Sequence, residues 1–307
     1  MRKFIRAFLI CCLSFCFIMA ALHIIWVKTA PQRMQRNFIP RDVHTVVLGP
    51  SNGACSWIDE LIPHSKNYCA LARSMNGCYN TLKWIVEYNV HQIDTVILCA
   101  SLPAFLYQHG DLGFSIYEEE VSLLDYADFF SYAKKSPDYW KSFFTSFPYA
   151  YFHQSSFDSG YFKVEWSKMN DPDLYRRVNE ILDLVDSDKY GFTETVIRRE
   201  CAAQVYYFEK IVSYCKQKEK ILTILCPPVA KIPDLIDEKG YKSFILSELG
   251  DSSIIADYSR FALPDSTYYG DLMHLNHKGA TVFSEDVAHN GLQYEYLVDY
   301  CNSNIIE

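Results

Sequence analysis

Basic residues are scarce for a chain of this size: 29 Lys plus Arg stand against 37 Asp plus Glu, a formal net charge of −8. A nucleic-acid-binding surface needs a basic stripe along the phosphate backbone, and none runs through this sequence, so no nucleic-acid partner is expected. Glycine and proline are sparse too, 12 of each in 307 residues, which excludes collagen-like repeats and long low-complexity tracts. The phosphate-cradling GxxxxGK[ST] and GxGxxG patterns, the HExxH zinc pattern and the EF-hand loop are all missing. No cofactor and no metal are expected. Eleven cysteines are present, but no CxxC pair or Cys/His cluster has zinc-ligand spacing. Several, such as Cys99 and Cys226, sit inside apolar runs, where a thiol behaves as a small buried hydrophobe.

Long apolar runs are rare, with one exception. Residues 7–27 (AFLICCLSFCFIMAALHIIWV) carry no charge, and about 20 such residues suffice for a helix to cross a hydrocarbon core. The run is longer than the ~7–15-residue core of a cleaved signal peptide and ends without a small-x-small exit, which favours a retained anchor. Residues 1–6 form a short basic tail with Arg2, Lys3 and Arg6, and 28–43 a linker with Lys28, Arg33, Arg36 and Arg41. Basic residues therefore flank both ends. A tail this short suits an inside position, with the body extracytoplasmic, in the periplasm or at the cell surface. A reversed anchor with a cytoplasmic body would instead suit the many free thiols.

Beyond the linker the sequence is globular and falls into three parts. Residues 45–51 (TVVLGPS) read as strand and tight turn leading into a helical pattern, 54–61. A second strand is expected near 67–71, a helix over 79–88 and a third strand over 94–100, apolar throughout, as in a sheet covered on both faces. The pattern resumes with a helix over 193–218, strands near 220–226 and 253–257 with a helix from Pro233 to about Leu249 between them, and a closing helix over 277–287. Strand–helix alternation implies α/β: a three-layer α/β/α domain built from 44–101 and 193–307 around a mostly parallel five-stranded sheet.

Between these parts, residues 102–192 form an insertion too long for a loop. Residues 103–170 hold 20 aromatics among 68, with helices expected over 118–135, 138–146 and 172–185. The aromatics either pack a small core of their own or form a lid over the carboxyl edge of the sheet, with exposed rings available to stack on sugars.

The polar residues that could do chemistry fall at that edge. Ser51 follows the first strand at a tight turn, where open α/β sheets bind ligands. It could equally serve as a helix cap. Cys55 and Ser56 are weaker candidates. Far along the chain, Asp271 and His274 are spaced so that a carboxylate can hold one imidazole nitrogen while the other faces a hydroxyl, the arrangement needed for acyl transfer.

These blocks, Gly49-Pro50-Ser51, Gly77 after the second strand, and DLMHLNHKGA over 271–280, together resemble the SGNH/GDSL hydrolase family. Its members are three-layer α/β/α esterases, lipases, carbohydrate deacetylases and O-acetyltransferases. The resemblance implies Ser51 as nucleophile, His274 as base, Asp271 as its orienter, and the amides of Ser51 and Gly77 as oxyanion-hole donors. Two blocks depart from the family pattern. Pro50 replaces the usual Asp, and Cys99-Ala100-Ser101-Leu102 stands where the family supplies an Asn donor. Asn76, or Ser101 through its hydroxyl, could stand in. The resemblance also implies an esterase or O-acyltransferase acting on an acylated glycan or envelope polymer; the alternative is a catalytically silent domain that binds a glycan or an envelope-assembly partner.

Overall fold

The computed structural model describes residues 1–34, 39–71, 73–88, 92–101, 105, 160–166, 197–198, 201–230, 238–249, 254–259, 261, 263 and 266–292. The helices expected over 118–135, 138–146 and 172–185 lie outside the described residues.

Helix α1 spans Arg2–Met34. Within it Lys3–Leu22 is long and apolar enough to cross a membrane. Its large apolar side chains, Phe8, Leu13 and Phe17 among them, stand exposed, which in water would be a liability and in lipid is the expected surface.

The body is built on five strands: β1 (Thr45–Leu48), β2 (Ser65–Asn67), β3 (Thr95–Cys99), β4 (Ile221–Cys226) and β5 (Ile254–Asp257). They lie in the order β2-β1-β3-β4-β5, and every pairing is parallel. The helices are α2 (Ser51–Ala54), α3 (Met75–Tyr88), α4 (Ala202–Gln217), α5 (Glu238–Leu249) and α6 (His277–Asn290). Because successive side chains of a strand point to opposite faces, the apolar strands feed two cores. On one face Val46, Leu48, Val96, Leu98 and Ile224 join residues of α3, α4 and α5, including Leu82, Phe208 and Phe244. On the other Val47, Ile97, Leu225 and Ala256 join Trp57, Ile58 and, from α6, Ala280, Phe283 and Val287.

Two expectations are corrected. The second strand lies at Ser65–Asn67 rather than 67–71. Its polar side chains are what place it: Asn67 Nδ2 donates to the Trp57 carbonyl at 2.8 Å, Asn67 Oδ1 accepts the Cys69 amide at 2.8 Å, and Trp57 Nε1 donates to Ser65 Oγ at 2.9 Å. The helix expected over 54–61 does not continue past Ala54. After α2, four residues long, the Ile58 amide donates to Ser284 Oγ of α6 at 3.1 Å, and Trp57 and Ile58 are buried against that helix's face of the sheet.

Strand order fixes where a ligand can sit. The chain leaves β1 toward β2 on one side and then crosses to β3 on the other, so the carboxyl ends of β1 and β3 flank a topological switch point, where open α/β sheets bind their ligands.

Candidate active site

Ser51 reaches that switch point because Gly49 lets it. Gly49 has φ +155°, and a Cβ there would lie 2.5 Å from Cys99 Cβ and 2.9 Å from the Cys99 carbonyl oxygen. Only glycine permits β1 to turn this close to β3. Pro50 then holds the extended residue before α2, and Ser51 opens the helical turn, partly exposed.

The partner loop is built by the closing block. Leu272 and Leu275 are buried in the core under α6, and Asn276 Oδ1 caps α6 by accepting the Gly279 amide at 3.1 Å. The loop doubles back on itself, the Gly270 amide donating to the His274 carbonyl at 2.9 Å. Asp271 Oδ1 accepts the backbone amides of Met273 at 2.8 Å and His274 at 3.0 Å. The carboxylate is thus fixed before it meets the imidazole.

His274 Nδ1 lies 2.8 and 2.9 Å from the two Asp271 carboxylate oxygens, and His274 Nε2 lies 2.7 Å from Ser51 Oγ. An ionised carboxylate can only accept, so Nδ1 carries the hydrogen and Nε2 of the neutral ring is the bare acceptor of the Ser51 hydroxyl. Burial alone would push the Asp271 carboxyl up. The bond and attraction of His274, with the two backbone amides, outweigh it and hold Asp271 below the usual carboxylate range. The loop therefore keeps an anion beside the imidazole.

The neighbouring candidates are accounted for differently. Burial pushes the Cys55 thiol up to about 12, with Asp271 and Cys69 adding to it, so Cys55 is not a thiolate nucleophile. Ser56 is buried, and its hydroxyl donates to the Asn52 carbonyl. Gly77 lies in the first turn of α3, where its amide donates to Ser74 Oγ at 3.0 Å. That amide is engaged in capping the helix. Asn76 is buried; its Oδ1 accepts from Asn80 Nδ2 at 2.8 Å, and its own Nδ2 has no acceptor among the described residues. Ser101 is 5% exposed and accepts from Asn52 Nδ2 at 2.6 Å.

Two features had no clear sequence signal. Asn52, next to Ser51, is buried and its amide reaches a residue 49 positions away. Residues 160–166 form a strap along the site: the Gly160 amide donates to the Cys69 carbonyl at 2.9 Å, the Phe162 amide to the Ala54 carbonyl at 2.8 Å, and the His277 amide to the Val164 carbonyl at 2.9 Å. Val164 is buried against Gly270, where a Cβ would come within 2.5 Å of Val164 Cγ1. Phe162 and Trp166 stay exposed, at 37% and 42%, with their rings 6.0 Å apart. This part of the insertion therefore joins the two halves of the site, the turn after β1 and the Asp271–His274 loop.

Compared with known proteins, the chain matches no family model, no curated protein and no solved structure. Functional inference therefore rests on its own residues.

Proposed function

We propose that the protein is an SGNH-type serine esterase or O-acyltransferase, held at a membrane by its N-terminal helix, with its body extracytoplasmic and an acylated glycan or envelope polymer as substrate. The observation that carries the chemistry is the continuous Ser51–His274–Asp271 hydrogen-bond chain, 2.7 Å on one side of the imidazole and 2.8 Å on the other.

In this reading Ser51 Oγ attacks the ester carbonyl carbon while His274 Nε2 takes its proton, and the carbonyl electrons move onto the oxygen, facing the Ser51 amide. The tetrahedral intermediate collapses by breaking the carbon–alkoxide bond, and His274 returns the proton to the departing alcohol. Water, or a sugar hydroxyl, then attacks the acyl–Ser51 ester by the same steps in reverse. Asp271 stays ionised throughout and stabilises the imidazolium. The exposed Phe162 and Trp166 rings beside the loop support a polymeric sugar substrate, because such rings stack on pyranose faces.

The engaged Gly77 amide favours the competing reading of a silent binding domain, since a site short of donors accelerates acyl transfer poorly. The full chain in detergent separates the two. Hydrolysis of 4-nitrophenyl acetate and labelling by a fluorophosphonate, both lost in Ser51→Ala, are expected of the enzyme. Turnover equal in wild type and Ser51→Ala would overturn it.

A further inference from the structure

The site is short of an oxyanion donor, and the residue beside the nucleophile points to where the missing one is. β1 and β3 are adjacent and parallel, with Leu48 opposite Leu98. Ser51 and Ser101 each lie three residues beyond that pair, and neighbouring strands are only about 4.8 Å apart. Asn52 closes the gap: its Nδ2 donates to Ser101 Oγ at 2.6 Å, while its Oδ1 accepts the Gly53 amide at 2.9 Å and so fixes which end of the carboxamide faces the serine. Ser101 Oγ is thereby used as an acceptor. Among the described residues nothing takes its proton. A hydroxyl that accepts a hydrogen bond becomes a stronger donor, and a buried polar group left half-satisfied at a ligand-binding edge has an unmet partner.

We infer that the Ser101 hydroxyl is the side-chain donor to the oxyanion, taking the place of a longer amide side chain, and that Asn52 is a positioning residue that orients and polarises it. This rests on the esterase reading above. The assignment differs from the Ser51 backbone amide in kind: it is a rotatable donor held by a second side chain, and losing either partner should be felt in the transition state rather than in ground-state binding.

The test uses full-length protein in detergent with 4-nitrophenyl acetate as probe, kcat and KM measured separately and Tm recorded for each variant. Loss of one oxyanion donor typically lowers kcat by ~10²–10³. Ser101→Ala and Ser101→Cys, the latter retaining bulk with a poor donor, are expected to lose about a hundredfold in kcat with KM within about twofold. Ser101→Thr keeps the hydroxyl and should recover most of that loss. Asn52→Ala should lower kcat about tenfold, again at unchanged KM, because Ser101 stays present but unaligned. Were Ser101→Ala and Ser101→Cys to keep more than half of wild-type kcat, or Ser101→Thr to be as poor as either, the inference would be overturned. So would a loss that appears in Asn76→Ala and not at Ser101, which would move the donor to α3. An enzyme that needs Ser51 but ignores Ser101 defeats this inference alone; activity that survives Ser51→Ala defeats the esterase reading beneath it.

Discussion

Replacing Asp271 with asparagine changes a single functional group and leaves its volume nearly unchanged, so the loop should still close. The Asp271 carboxylate receives three N–H donors: the amides of Met273 and His274 and the ring Nδ1–H of His274. An asparagine has one oxygen for these three. The two amides are fixed by the backbone and will keep that oxygen, which turns the –NH2 end toward the imidazole. Nδ1 must then become the acceptor, the ring hydrogen moves to Nε2, and the nitrogen 2.7 Å from Ser51 Oγ presents N–H rather than a lone pair. The base is present but in the wrong tautomer. For triads of this kind the loss is ~10⁴ in kcat, about 5 kcal/mol of barrier. Steady-state hydrolysis of 4-nitrophenyl acetate measures it. KM should change little, and Ser51→Ala, His274→Ala and the triple variant should converge on one floor rather than add. An Asp271→Asn protein with more than a tenth of wild-type kcat would refute the tautomer argument and, with it, His274 as base.

Four further outcomes rest on particular features of the fold. Because Asp271 is held below the usual carboxylate range, the folded protein resists protonating it; its contribution to stability is present above the ordinary value of 3.8 and fades as pH falls through the lower folded value. The Tm gap between wild type and Asp271→Asn should therefore hold steady down to about pH 4 and narrow below it; a gap that widens on acidification would contradict the assigned direction. Gly53→Ala would set a Cβ 2.6 Å from Cys69 Sγ and 2.7 Å from Cys99 Sγ, and overpacking of this sort costs ~1–3 kcal/mol, read as a fall in Tm of ~2–4 °C per kcal/mol. Trp166→Ala should reduce turnover of an acylated polysaccharide at least about fivefold more than that of 4-nitrophenyl acetate, since stacking on a ring is worth on the order of 1 kcal/mol; equal losses would mean that the strap only stabilises the fold. The full chain should remain in the membrane fraction after a high-pH wash with its N-terminus intact, and a mature N-terminus near Lys28 would rule out a retained anchor.

Much of this architecture is written in local pattern. The runs over 45–48, 95–99 and 221–226 are apolar and β-branched, which points to burial on both faces, and their alternation with helical patterns points to parallel pairing. The run over 7–27 announces, by length and lack of charge, a helix long and apolar enough to span a membrane. Ser51 and the Asp271–His274 spacing could be picked out because a tight turn after a strand and a carboxylate three residues from an imidazole each carry chemistry in their geometry. What only the tertiary structure decided are the long-range polar contacts. β2 is a strand of Ser, Lys and Asn, invisible to a hydrophobic pattern, and it exists where Asn67 and Ser65 find partners in the 53–57 turn. Past α2 the Ile58 amide finds its acceptor, Ser284 Oγ, on α6, 226 residues away. Gly77 looked available until the fold showed its amide bound to Ser74, and Asn52 looked idle until β1 and β3 came into register and put Ser101 within 2.6 Å of it. Local sequence determines which backbone a segment prefers, because that preference is settled within a few residues. Which donor is spent and which is left free at the carboxyl edge depends on where distant segments lie, and that is set by packing.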